Sequence, residues 1–233
     1  MVGKCSSKRP PTIRRGPVYT LYYMPGRANL APHIVLQETG APYRLELVDF
    51  EKQAQRNLEY LTLNPNGRVP TLIEDGFVMY EAAAITMYIA DEHGEAGMAP
   101  PPAPLSRARY YQWMAHLTNS VQEALNQWFH PDHFVSGTQA ESAFKKNAEN
   151  RLEKLWVNLD EALSKSPYLL GDRFSACDAY LFMLTCWQTR LKKSMVRERP
   201  NLARFFKTVK NRPSVKRTFE AEGIASWYSI NDD

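Results

Sequence analysis

At 233 residues the chain is long enough for one large domain or two small ones, and its 44% hydrophobic and 23% charged content excludes a disordered, collagenous or coiled-coil protein. The net charge of +4 is local: residues 1–17 hold Lys4, Lys8, Arg9, Arg14 and Arg15 with no acid, which leaves 24 basic against 25 acidic residues elsewhere, so no nucleic-acid partner is expected. No apolar run nears the ~20 residues of a membrane helix and no apolar stretch opens the chain as a secretory signal would, so neither a membrane nor export is expected.

Three cysteines (Cys5, Cys177, Cys186) form neither an even framework nor a CxxC pair, which fits a reducing, cytoplasmic setting. Residues 1–17 read as a disordered basic tail, either idle or used for targeting or docking. From Val18 to His93 strands and helices alternate. Val18 to Tyr23 is aromatic and β-branched, hence a strand, and Pro25-Gly26 breaks it. Leu30 to Glu38 sets apolar residues at helical spacing and Gly40 closes that helix. Tyr43, Leu45 and Leu47 alternate with Arg44 and Glu46 as a second strand. A polar helical stretch near residues 52–62 leads to the turn Asn64-Pro65-Asn66-Gly67. Val69–Ile73 and Phe77–Tyr80 flank Glu74-Asp75-Gly76 as a hairpin, and the Ala-rich run Glu81–Glu92 is a helix. The expected order for 18–93 is β-α-β-α-β-β-α.

Residues 94–105 contain two glycines and four prolines and read as a linker. Beyond it, amphipathic runs near 105–129, 140–164, 175–193, 201–210 and 213–222 predict an all-helical domain over 106–228. Ser175-Ala176-Cys177-Asp178 has capping-box spacing. His130-Pro131-Asp132-His133 invites a metal reading. The proline is expected to break the i, i+3 pair and no further ligands lie near in sequence, so a loop and no metal are expected. Glycine-rich phosphate loops and a GxSxG nucleophile elbow are missing.

Five segments together resemble one family. Tyr22-Tyr23-Met24-Pro25-Gly26 followed by Leu30-Ala31-Pro32-His33-Ile34-Val35-Leu36 is similar to the opening strand and helix of bacterial beta-class glutathione transferases. Asn64 to Leu72 resembles their turn and cis-proline segment, and Glu81-Ala82-Ala83-Ala84-Ile85 their acidic motif. Tyr168 to Phe174 before the capping box, and Arg212-Pro213 with Ala221-Glu222-Gly223, look like their C-terminal signatures. The resemblance implies a thioredoxin-like α/β domain ahead of the all-α domain, glutathione as co-substrate, small electrophilic substrates, a role in detoxification and a homodimer. A glutathione-dependent peroxidase or disulfide reductase of the same fold, and a non-catalytic binding module, are the alternatives.

Such an enzyme must ionise a thiol. An unperturbed thiol is only about 3% thiolate at pH 7, and lowering its pKa by two units takes ~2.7 kcal/mol of preferential stabilisation. The break at Pro25-Gly26 puts the amides of a helix beginning near Ala28-Asn29 at the strand end. Tyr23 there either donates its hydroxyl to the sulfur or packs as a strand-end aromatic, and Asn29 either donates its amide or caps its own helix.

By resemblance, Val69-Pro70 pairs with the cysteinyl backbone, and Glu81 with the amides of Glu81-Ala82 takes the γ-glutamyl end. Arg68 and Lys52 are candidates for the glycine carboxylate, and Met24, Met114, Phe129 and Trp187 for the electrophile pocket. Relatives typically carry a cysteine where this chain has Ala28, a serine at Asn29, a histidine at Gln122 and often a hydroxyl at Ala82. Ala28 rules out cysteine-based chemistry at that position.

Overall fold

The computed structural model describes residues 18–102, 104–189 and 194–228; the basic tail and Cys5 lie outside them. Four strands form one sheet: β1 (Tyr19–Tyr23), β2 (Tyr43–Leu47), β3 (Thr71–Glu74) and β4 (Phe77–Tyr80), in the order β2-β1-β3-β4. β1 runs parallel to β2 and antiparallel to β3, which is antiparallel to β4. The hairpin turns on Asp75 and Gly76, both at positive φ, as a two-residue turn between facing strands requires.

The central strand shows why a period of two matters. Tyr19 and Leu21 are fully buried on one face, in the main core. Tyr22 points to the other face, against a small cluster of Val48, Tyr60 and Val69. Helix α1 (Leu30–Thr39) and helix α3 (Ala82–Glu92) pack on each other over the first face. The polar stretch expected at 52–62 splits into a 3₁₀ turn, Ala54–Arg56, and helix α2 (Leu58–Leu63).

The remaining helices are α4 (Pro104–His116), α5 (Glu123–Phe129), α6 (Thr138–Leu163), α7 (Ala176–Thr189), α8 (Pro200–Lys210) and α9 (Pro213–Ala221). The run expected as one helix over 105–129 is interrupted by a π-helical segment, Leu117–Gln122. Inside it the Thr118 hydroxyl donates to Met114 O at 3.0 Å and Ala115 O at 3.1 Å, a local competition with the helical ladder. The capping box at α7 is turned toward the acid. Asp178 accepts Ser175 N at 2.9 Å, Ser175 Oγ at 2.6 Å and Leu169 N at 2.8 Å. Cys177 and Cys186 are buried on α7 and are not joined in a disulfide.

One apolar core runs through both halves: Leu30 and Ile34 of α1, Ile85 of α3, Trp156 of α6 and Phe182 of α7 are all fully buried members of it. α1 is the shared element, packing on α3, α7 and α9. The start of α1 is therefore held by contacts from the far end of the sequence. No helix among the described residues is long and apolar enough to cross a membrane.

Candidate active site

Strand register alone gathers the candidate residues. Tyr22 faces Thr71 and Thr71 faces Tyr80, so the loop after β1, the segment before β3 and the residue after β4 emerge at one end of the sheet. Tyr23 O accepts Val48 N at 2.9 Å, which brings the segment carrying Lys52 to the same end.

The loop between β1 and α1 is a tight double turn, with Arg27 N bonded to Met24 O at 3.1 Å and Leu30 N to Arg27 O at 3.0 Å. The Ala28 N–H finds no acceptor among the described residues. Tyr23 is half-buried, and its hydroxyl makes no hydrogen bond among the described residues. Burial first, and then the negative charge of Glu222, raise its pKa. Such a hydroxyl stays protonated through the neutral range and is a donor there.

Asn29 differs from the expectation of a donor facing the sulfur. It is fully buried, its Oδ1 accepts Met24 N at 3.1 Å and its Nδ2 donates to Glu222 Oε1 at 2.9 Å. The reason lies 193 residues away. The Glu222 carboxylate also accepts Gly26 N at 2.8 Å and lies 2.8 Å from His33 Nδ1, and it is wholly shielded from solvent. His33 Nε2 meets the Tyr43 hydroxyl at 2.9 Å, so the chain of contacts runs from α9 through α1 to β2. No local pattern identified Glu222 as a partner of this loop; its one signal was its place in a terminal motif. His33 likewise sat unremarked within the α1 motif.

The Val69–Pro70 bond is cis, and Val69 and Pro70 are buried. The preceding Arg68 carbonyl is clamped, accepting Tyr60 Oη at 2.7 Å and Asn64 Nδ2 at 2.8 Å, while its side chain is exposed. The Tyr60 hydroxyl also meets Thr71 Oγ1 at 2.9 Å. Gly67 is needed just before: at φ 58 with Gln55 O only 2.9 Å from where a Cβ would stand, a side chain would collide with fixed backbone.

Glu81 stands exposed at the N-terminus of α3 with φ 77, a left-handed conformation rare outside glycine, and its carbonyl accepts Ile85 N at 3.0 Å. Its charge helps raise the pKa of Tyr180, after burial. Tyr180 in turn donates its hydroxyl to Gln122 Oε1, so Gln122, Tyr180 and Glu81 share a neighbourhood across the two domains. Ala82 is buried as the first residue of α3. Lys52 is exposed and paired with Asp49 at 3.1 Å.

Of the expected electrophile-pocket residues, Met24, Phe129 and Trp187 are half-buried, while Met114 is 2% exposed within the main core. Trp187 Nε1 donates to Gly26 O at 3.1 Å, so it braces the loop as well as flanking it. At the mouth, burial lowers the His130 pKa, and His133, Arg27 and Arg68 lower it further. Pro131 does not separate the histidines as expected. It begins a 3₁₀ turn, Pro131–His133, where its missing N–H is harmless, and the His130 and His133 rings stack 5.0 Å apart at 12°. With Asp132 they bring ligand atoms within 4.8 Å, all exposed.

A family model described as "Glutathione S-transferase, N-terminal domain" matches residues 17–91, and one described as "Glutathione S-transferase, C-terminal domain" matches residues 112–213. The glutathione S-transferase GstA of Escherichia coli O157:H7 is 30% identical over 206 residues, covering 88% of this chain and 98% of the relative. A glutathione transferase homologue from Sulfitobacter, solved with bound glutathione, superposes with a TM-score of 0.80 at 26% identity over 89% of this chain and 99% of that one. The beta-class enzyme of Sphingomonas chungbukensis superposes with a TM-score of 0.76 at 33% identity, over 88% and 99% of the two chains.

Replacing Glu222 by Ala is expected to strip a buried acceptor from three donors at once. Each donor left unsatisfied costs about 1–3 kcal/mol, so chemical denaturation should show at least ~2 kcal/mol lost. A Glu222→Ala midpoint equal to the parent's would remove the carboxylate from its place in the fold.

Proposed function

The chain belongs to the glutathione S-transferase family, and we propose that it conjugates the glutathione thiolate to small electrophiles as a beta-class-like enzyme that lacks the usual cysteine. One observation carries this reading: the register brings Tyr23, Val69-Pro70 and Glu81 to one end of the sheet, beside the unbonded amide of Ala28. The 33% identity to a beta-class enzyme supports the class.

In this reading residues 18–93 hold the tripeptide, 94–105 link, and 106–228 close the electrophile side. The Val69 backbone, set by the clamped Arg68 carbonyl, pairs with the cysteinyl backbone of glutathione. Glu81 accepts from the γ-glutamyl ammonium, and the amides at the start of α3, Ala82 among them, take its carboxylate. Gln122 borders that end through Tyr180. Arg68 and Lys52 serve the glycine carboxylate. The sulfur then sits between the Tyr23 hydroxyl and the Ala28 amide, both donors toward developing negative charge. Asn29 contributes by holding the loop. Met24, Phe129 and Trp187 flank the electrophile, with Met114 packed behind them.

Conjugation itself then needs no covalent enzyme intermediate. The thiolate forms a bond to the electrophilic carbon, the leaving group departs with its electron pair, and the enzyme supplies ionisation and alignment.

Three outcomes follow. Calorimetry should find glutathione bound by the parent and bound about 30-fold more weakly by Glu81→Ala, the ~2 kcal/mol cost of leaving the ligand's ammonium unpaired. An unchanged affinity would take Glu81 out of the site.

Chlorodinitrobenzene should be turned over, and hydroperoxide slowly by comparison; the reverse preference would favour the peroxidase reading. Tyr23→Phe removes a donor to the thiolate and so raises the thiol pKa, shifting the pH profile of kcat/KM upward by up to about one unit. Its activity should fall below neutral pH and approach the parent's in alkali. Superimposable profiles would assign thiolate stabilisation to backbone amides alone.

A homodimer is also proposed. Tyr110 and Met114 of α4 and Leu117 just after it belong to the chain's own core, while Tyr111 is 53% and Leu105 86% exposed, and Phe77 on edge strand β4 is 61% exposed. Sedimentation should give about 53 kDa, twice the 26.7 kDa chain; a monomer at micromolar concentration would argue against it.

A further inference from the structure

The loop that would present the sulfur its amide is enclosed by residues from the end of the chain, and Gly26 is where they meet. Its N–H goes to Glu222 Oε2 at 2.8 Å and its carbonyl accepts Trp187 Nε1 at 3.1 Å. The third side is covered by Trp227: a Cβ built on Gly26 would stand 2.7 Å from the indole Cζ3 and 3.3 Å from Cε3. The ring therefore lies in van der Waals contact with the bare Cα of a glycine already held at φ +69. Any side chain at this position would have to displace the indole and adopt a backbone angle rare outside glycine.

Trp227 is rigidly mounted. It belongs to the 3₁₀ turn Ala225–Tyr228, its N–H bonds to Ile224 O at 2.9 Å, and Ile224 N bonds to Phe219 O at 2.9 Å. The turn is anchored in the core at both ends, by Ile224, fully buried just before it, and by Tyr228, 1% exposed, whose ring stacks 4.8 Å from Phe219. Yet Trp227 itself is 40% exposed. This large, partly exposed ring is laid on the bare glycine of the loop.

We propose that Trp227 is a positioning residue for glutathione ionisation, the indole fixing Gly26 and through it the direction of the Ala28 amide toward the sulfur. The inference rests on the conjugation reading above. Hydrogen bonds at Gly26 N and O restrain the peptide planes along two directions, and the ring blocks displacement along the remaining one. Without it the loop keeps its bonds but gains a path outward, and an amide displaced by a fraction of an ångström stabilises a thiolate less. Peptide binding is untouched, because Val69, Glu81 and Ala82 are on other segments.

The test compares the full-length parent with Trp227→Ala and Trp227→Phe. Trp227→Ala should lower kcat for chlorodinitrobenzene about tenfold and leave KM for glutathione within about twofold. Its pH profile should move to higher pH, and hydrogen exchange over residues 24–30 should quicken. Trp227→Phe, which restores a planar cover, should recover most of both. A parent-like kcat, pH profile and exchange rate in Trp227→Ala would overturn the proposal. Should Trp227→Ala fail to fold, Trp227→Leu carries the same test, with parent-like kcat and exchange again overturning it. A parent that binds glutathione but conjugates nothing would sink the conjugation reading instead, and with it the catalytic role assigned to Trp227.

Discussion

The Glu222 carboxylate, buried at the end of α9, is the interaction on which the site's geometry turns. It reaches Gly26 N, Asn29 Nδ2 and His33 Nδ1 within 2.9 Å, three groups spaced along the β1–α1 junction. A carboxylate without solvent is tolerable only when its lone pairs are taken, and here the takers line the β1–α1 junction. The dependence is mutual. Gly26 N, left without Glu222, would be a buried amide with no partner, and Asn29 would lose the acceptor that turns it inward. The junction is thus made from both ends of the chain, and neither domain holds the loop by itself.

That arrangement separates two tasks. The tripeptide would be gripped by segments before β3 and at the start of α3, whose local supports are Tyr60, Asn64 and Thr71 within the same domain. The sulfur would be governed by the β1–α1 loop, whose supports, Glu222, Trp187 and the terminal turn, come from the helical domain. With Ala28 in the loop before α1, the proposed ionisation would fall to backbone and hydroxyl donors, and would depend on the direction of that loop.

Arg27 and Arg68 act on His130 across the space between the domains, and burial and His133 act on it in the same direction. The exposed 3₁₀ turn at Pro131–His133 is thereby drawn into the electrostatics of the crevice, although the α5–α6 connection that carries it is remote in sequence from both arginines. The π-helical break before α5 has a similar consequence, since it sets Gln122 against Tyr180 in reach of Glu81.

Most of the architecture was legible from local pattern. Alternation marked β2, Asp75-Gly76 closed the hairpin, Gly40 ended α1, and Ser175 with Asp178 marked the start of α7, because each of these is decided by neighbours a few residues apart. The segments holding Tyr23, Val69-Pro70 and Glu81 were also legible, and strand register then brought them to one end of the sheet. What local pattern could not reach was the direction of side chains whose partners are distant. Asn29 reads equally as a donor to a ligand or to its own fold, and a carboxylate 193 residues away decides for the fold. Met114 reads as a pocket residue by type and is core by packing. Pro131 reads as a breaker and instead begins the turn that stacks two histidines. The sequence by itself determined which elements form, since propensity, capping and turn geometry are short-range. Only the tertiary structure decided where the buried polar groups point, because each had to find its partner wherever the packed core left one.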